Sequence, residues 1–136
     1  MAALTTARNT PAALGDVRSV PLPANGKIFQ GGMVQVTAAG YAAAASATAA
    51  NVTIGRADET VDNTGGANGA KSIKVRRGVF RYANSAAGDA IARTEIGQDC
   101  YVVDDQTVAK TDDDGDRPVA GKVFGVDAQG VWVEFR

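Results

Sequence analysis

The sequence predicts an all-β fold: a small single-domain antiparallel β-barrel or β-sandwich of short strands, preceded by an extended N-terminal arm. Valine occurs 16 times and leucine 3 times, and branching at Cβ favours the pleated strand over the helix. Apolar residues alternate over short runs instead of recurring at helical spacing, and these runs are separated by links rich in Gly, Asp and Asn. At 136 residues the chain suits one domain that buries its own core without help from metals or disulfides.

Residues 1–24 form the arm. They are rich in Ala, Thr and Pro, and Pro11, Pro21 and Pro23 interrupt any regular element,. Within them Val17-Arg18-Ser19-Val20-Pro21-Leu22 alternates well enough for an edge strand. The core domain covers residues 25–136, with strands expected near 33–37, 52–57, 72–77, 79–83, 101–104, 107–110, 119–127 and 131–135. The alanine-rich stretch 42–50 lacks charged partners and a cap, so it reads as a surface connection with a brief strand. Residues 62–69, with three glycines, read as a long flexible loop. Thr94-Glu95-Ile96-Gly97 suits a single helical turn. Asp104-Asp105-Gln106 and Ala128-Gln129-Gly130 are links of hairpin length.

The run from Ser72 to Asn84 is the most informative. Ile73 and Val75 alternate with Lys74 and Arg76, but beyond Gly78 the large apolar residues Phe80 and Tyr82 take the opposite parity. A β-bulge or sharp bend at Arg77-Gly78 would keep both halves on one core, with glycine supplying the backbone freedom. Lys74, Arg76, Arg77 and Arg81 are then left outward or at an edge, as a basic docking patch. The net charge of −1 conceals a wider asymmetry: Lys71 to Arg93 carries six cations and one acid, and Glu95 to Asp116 carries eight acids and one cation. Two readings follow. Either the two segments pair as neighbouring strands, or they are complementary patches that orient a partner.

Much chemistry is missing. With no histidine, the Ser-His-Asp and Cys-His systems and histidine-based zinc sites are excluded. Gly65-Gly66-Ala67-Asn68-Gly69 lacks the spacing and preceding strand of a phosphate loop. Asp112-Asp113-Asp114-Gly115-Asp116 departs from the EF-hand pattern, because Arg117 stands where glycine belongs and no bidentate glutamate follows, so it reads as a solvated turn. The lone Cys100 reads as a buried, inert small hydrophobe. The cations interleaved with Phe80 and Tyr82 have the mixture used for single-stranded nucleic acid, but a pI near 5.3 argues against that use,. The N-terminus lacks the apolar core of a signal peptide and no run approaches transmembrane length. The expectation is a non-enzyme with no catalytic residue, cofactor or metal, and with neither nucleic acid nor membrane as a partner.

Several segments in order carry a resemblance: Val61-Asp62-Asn63-Thr64-Gly65-Gly66, Ile73 to Phe80, Tyr101 to Ala109, Ala120-Gly121-Lys122-Val123 and Gly130-Val131-Trp132-Val133. Together they resemble the capsid cement, or head decoration, proteins of tailed bacteriophages and Mu-like prophages, over about Gly26 to Val133. The resemblance implies a structural virion protein on the outer surface of the expanded head, made in the bacterial host cytoplasm. It further implies homotrimers at three-fold and local three-fold positions that cement neighbouring major capsid subunits against internal DNA pressure. The arm, through Arg8, Asn9, Thr10, Arg18 and Val20, is expected to add a strand to a sheet edge of the capsid protein. The alternative is a virion-surface module that binds ligands or glycans without cementing. It calls for exposed aromatics, with Trp132 and Tyr41 the candidates, whereas a cement protein should hold Trp132 in its core or trimer contact.

Overall fold

The computed structural model of the protein describes residues 2–136. Its strands are β1 (Val17–Pro21), β2 (Lys27–Ile28), β3 (Met33–Val36), β4 (Ala42–Ala44), β5 (Val52–Ala57), β6 (Val61–Asp62), β7 (Ser72–Arg76), β8 (Gly78–Asn84), β9 (Asp99–Val102), β10 (Thr107–Ala109), β11 (Val119–Asp127) and β12 (Gly130–Phe135). Two single-turn 3-10 segments, Ala87–Asp89 and Arg93–Glu95, are the helical part of the described residues. The fold is thus nearly all β, as the valine-rich alternation predicts.

The strands form two main layers and a small ribbon. A five-stranded sheet runs in the order β1-β7-β5-β3-β4, a closed five-stranded barrel in the order β10-β8-β12-β11-β9, and β2 pairs with β6 alone. All pairings are antiparallel except the short parallel contact of β8 with β10. Both expected hairpins form, β9 with β10 and β11 with β12. The alanine-rich connection does contain its brief strand, β4.

Each layer has its own apolar core. Leu22, Ile28, Val34, Ile54, Ile73 and Val75 fill the space beneath the open sheet. Tyr82, Ile91, Cys100, Val102, Val108, Val123, Val131, Val133 and Phe135 fill the barrel. Successive side chains on a strand point to opposite faces, and β3 uses both: Met33 joins the barrel core and Val34 the sheet core. This strand is therefore buried on both sides and ties the layers together.

The run from Ser72 to Asn84 bends at Arg77-Gly78, but with a different consequence from a bulge within one sheet. The chain leaves the open sheet as β7 and enters the barrel as β8, with Arg77 alone between them. Ile73 and Val75 consequently lie in the sheet core and Tyr82 in the barrel core, with Phe80 half-buried against the latter. The two halves serve different cores. Gly78 sits at φ +146°, a conformation side-chain-bearing residues rarely adopt. Opposite the bend, Gly55 lets the two backbones approach: a Cβ there would lie 2.5 Å from the Arg76 carbonyl oxygen.

Buried polar groups fix the connections. Gln35, fully buried in β3, donates from Nε2 to the Ser46 carbonyl (3.1 Å) and accepts at Oε1 from the Ser46 N–H (3.0 Å) and Asn51 Nδ2 (3.1 Å). The segment 62–69 is not the free loop its glycines suggest. Asn63 is buried, and its Nδ2 donates to the carbonyls of Pro23 (2.8 Å) and Ala67 (3.0 Å). Its backbone N–H donates to the Gly26 carbonyl and its carbonyl accepts from the Asn25 N–H, so the loop is pinned to the chain after β1.

Two substitutions test this account. Gln35→Leu fills the volume but leaves the half-buried Ser46 N–H without its partner, and should cost about 1–3 kcal/mol. Gly78→Ala should cost about 1–3 kcal/mol by forcing a Cβ into a strained φ. Urea unfolding would measure both. An unchanged midpoint for Gly78→Ala would mean that the crossing does not need glycine.

Candidate functional site

The cations singled out in the sequence do not form one stripe. Lys74 and Arg76 alternate on β7, opposite Ser19 and Val17 of β1, and Arg76 also stands opposite Arg56 of β5. Like charges directly across a sheet repel. Asp58 resolves the conflict by accepting from Arg56 Nη2 at 2.9 Å and Arg76 Nε at 3.1 Å. Arg56 also lies with its guanidinium carbon 4.5 Å from the Phe80 ring centroid, so one arginine joins the sheet to the barrel. Lys74 is exposed and its backbone N–H donates to Glu59 Oε1.

Arg77, in the crossing itself, is half-buried, and its backbone N–H donates to the Asp16 carbonyl at 2.8 Å. Its Nε is buried without a hydrogen-bond partner among the described residues. Arg81 belongs to the barrel, where it packs over Trp132, 5.5 Å from the ring centroid. Among the described residues no ion pair joins the cations of 71–93 to the acids of 95–116. The two segments do meet as neighbouring strands, β8 beside β10, but their charges do not pair: Asp58, outside both segments, takes Arg76. The acids Asp112, Asp113, Asp114 and Asp116 form an exposed turn closed by backbone bonds onto the carbonyls of Asp112 and Asp113.

The arm residues divide. Every residue from 2 to 16 is exposed, Arg8, Asn9 and Thr10 included. Arg18 and Val20 instead belong to β1, paired opposite Val75 and Ile73, and Val20 packs against the sheet core. The region 1–24 thus contains a strand that is part of the sheet, and Met1 lies outside the described residues. Because β1 ends the sheet order, its outer side has no strand neighbour. Leu4 and Leu14 are 71% and 95% exposed, while Leu22 is fully buried.

Trp132 is neither in the core nor fully free. It lies on the outer face of the barrel with 36% exposure, and its Nε1–H donates to Asp127 Oδ2 at 2.9 Å. Tyr41 is half-buried. More exposed aromatics are Phe29 and Phe124, at 58% and 61%; Phe29 lies in the turn after β2, and Phe124 at the register shift of β11 between Val123 and Gly125, which alternation alone does not reveal. Cys100 is buried in the barrel core, and burial pushes its thiol pKa up to about 11. Such a thiol is protonated and unreactive at neutral pH. Among the described residues no three His, Cys, Asp or Glu side chains gather as metal ligands, and no helix is long and apolar enough to cross a membrane.

Comparison with family models, curated proteins and solved structures finds no match for this chain.

Asp58, just after β5, bridges two arginines of the sheet. Burial pulls its pKa upward, but hydrogen bonds and charges from Arg56 and Arg76 outweigh this and hold it below the ordinary 3.8. A carboxylate depressed in the folded state contributes stability above its unfolded pKa and loses it as pH falls through the folded value. Asp58→Asn should therefore lower the urea midpoint at neutral pH, with the difference from the parent shrinking below pH 3.8. A difference that persists undiminished at pH about 2, below the carboxylate range, would show that the charge of Asp58 is not what matters.

Proposed function

We propose that this chain is a structural virion protein. In this reading it binds the outer surface of an expanded phage capsid as trimers at three-fold and local three-fold positions. There it cements neighbouring major capsid subunits against the pressure of packaged DNA. The observation that carries the reading is the fully exposed segment 2–16 leading directly into β1, an edge strand beside the cation-bearing β7. An edge strand with unpaired backbone groups is a template for strand addition. A row of exposed cations beside it sets orientation and association rate against an acidic partner.

A shell under internal pressure gains stability from added interface between its subunits, and a clamp repeated at every three-fold position multiplies many weak contacts by valency. Such a role requires surfaces and no reactive group. In this reading the exposed arm residues Arg8, Asn9 and Thr10 provide the reach of the clamp, and the exposed Arg18 and Lys74 its cationic base.

The test is co-sedimentation with expanded heads. Removing residues 2–14 should abolish binding while leaving the thermal unfolding of the core unchanged. Reversing Arg18 and Lys74 to glutamate should weaken binding by about tenfold or more near 0.05 M salt and by less near 0.5 M, where exposed charges are screened. Arg76 is left intact because it shares Asp58 with Arg56. Undiminished binding by the truncated chain would refute attachment through the arm, and a parent protein that is monomeric by light scattering and ignores heads would refute the cement role.

A further inference from the structure

A cleft of about 480 Å³ opens where the open sheet meets the barrel, lined by Phe29, Gln30, Arg81, Asp105 and Gln106 around the backbone of Gly31 and Gly32. Three segments far apart in sequence build it: the turn from β2 to β3, the middle of β8, and the turn from β9 to β10. Backbone bonds lock them together. The Met33 N–H donates to the Asp105 carbonyl, the Ala83 N–H to the Gln106 carbonyl, and the Gly31 N–H to the Ala57 carbonyl, at 2.8, 2.8 and 3.0 Å. The Tyr82 hydroxyl, buried below, donates to the Gly31 carbonyl at 2.8 Å. The walls are therefore fixed before any ligand arrives, which lowers the entropic cost of binding.

The side chains on these walls are uncommitted. Among the described residues, Gln30, Arg81, Asp105 and Gln106 make no side-chain hydrogen bond within the chain. Arg81 is held at the rim by stacking on Trp132. A guanidinium, a carboxylate and two amides, all planar, thus gather at one opening with unused donors and acceptors. Beside them stands Phe29, 58% exposed, with the Lys27 ammonium 4.9 Å from its ring centroid.

This chemistry selects among ligands. One cation and one anion line the cleft, so it has no net charge to attract a phosphate, and the Asp105 carboxylate opposes one. The backbone groups of Ala83, Gly31, Asp105 and Gln106 already bond one another or their neighbours, so an added peptide strand finds no free ladder there. A neutral pyranose suits both features. Its hydroxyls each donate and accept, matching a carboxylate, a guanidinium and amides, and its C–H face suits an exposed aromatic ring.

We propose that this cleft is a saccharide site, with Asp105 and Gln106 bonding ring hydroxyls, Gln30 and Arg81 completing the fan, and Phe29 contacting the apolar face. It is independent of the capsid reading and uses different residues from the arm and β7. The test is an NMR titration of the full chain with glucose, galactose, N-acetylglucosamine and the β1-4 trimer of the last, with inorganic phosphate alongside. At least one sugar should shift the amides of 29–32, 81–83 and 104–106 and the indole N–H of Trp132, saturating at about millimolar concentration. Asp105→Ala and Gln106→Ala should each weaken that binding roughly tenfold, with amide positions elsewhere unchanged, since both residues keep their backbone bonds. Silence of these amides toward every sugar up to about 50 mM, far above a millimolar site, would overturn the proposal. So would equal affinity in both variants, or shifts produced by phosphate alone.

Discussion

One extended run of the chain has to serve two sheets, and the rest of the structure follows from how it does so. At Arg77 and Gly78 the backbone turns out of the open sheet and into the barrel, which is feasible because glycine accepts the φ of +146° found there. The crossing divides the apolar residues into two cores where one larger core would otherwise form. Two small cores are individually weak, because burial is what stabilises a domain and each encloses little of it. The layers are therefore joined by other means: β3, which feeds Met33 to one core and Val34 to the other, and Arg56, which reaches from β5 across to Phe80. Asp58 makes that arginine tolerable beside Arg76.

The same crossing decides how surface charge is displayed. Residues before it belong to the sheet and residues after it to the barrel, so cations contiguous in sequence end on separate surfaces. Lys74 and Arg76 look out from the sheet near β1, and Arg81 looks out from the barrel over Trp132. The two layers also differ in their edges. Closing the barrel removes its edges altogether, while the open sheet keeps β1 at its border. Arg18 and Pro21 on that strand guard against indiscriminate pairing, since charge and proline both blunt an edge. What the edge still offers is a directed contact continuous with the exposed segment before it.

Local pattern made most strands legible. Alternation of apolar residues located β3, β5, β7, β8, β11 and β12, and the short links after Val103 and Asp127 located the hairpins, because each signal lies within a few residues. Sheet membership was not legible. The parity switch in Ser72 to Asn84 is compatible with a bulge in one sheet or a passage between two, and only contacts with distant strands distinguish them. Asn63 escaped notice for a related reason: among glycines it looks like a loop residue, yet its amide closes onto Pro23, 40 positions away. Gln35 likewise carries no local mark of its partners Ser46 and Asn51. The cleft is the extreme case, since Phe29, Arg81 and Asp105 share no motif and meet only through the topology.

Arg81 is where the two candidate roles touch. It lies close in sequence to Lys74, Arg76 and Arg77, but the fold places it on the rim of the cleft and against Trp132. A change at Arg81 would alter the charge of the barrel surface, the position of the indole and the cleft wall together, so its effect on any binding event has several origins. Lys74 and Asp105 do not share this ambiguity. Lys74 lies on β7, beyond the cleft lining, and Asp105 contributes a side chain to the cleft and a backbone carbonyl to Met33. Because residues without shared partners act nearly additively, substitutions at those two positions separate the proposed docking surface from the proposed saccharide cleft. The two proposals thus rest on different parts of the fold: the outer edge of the open sheet at β1, and the junction of sheet and barrel where Gln30, Arg81, Asp105 and Gln106 gather.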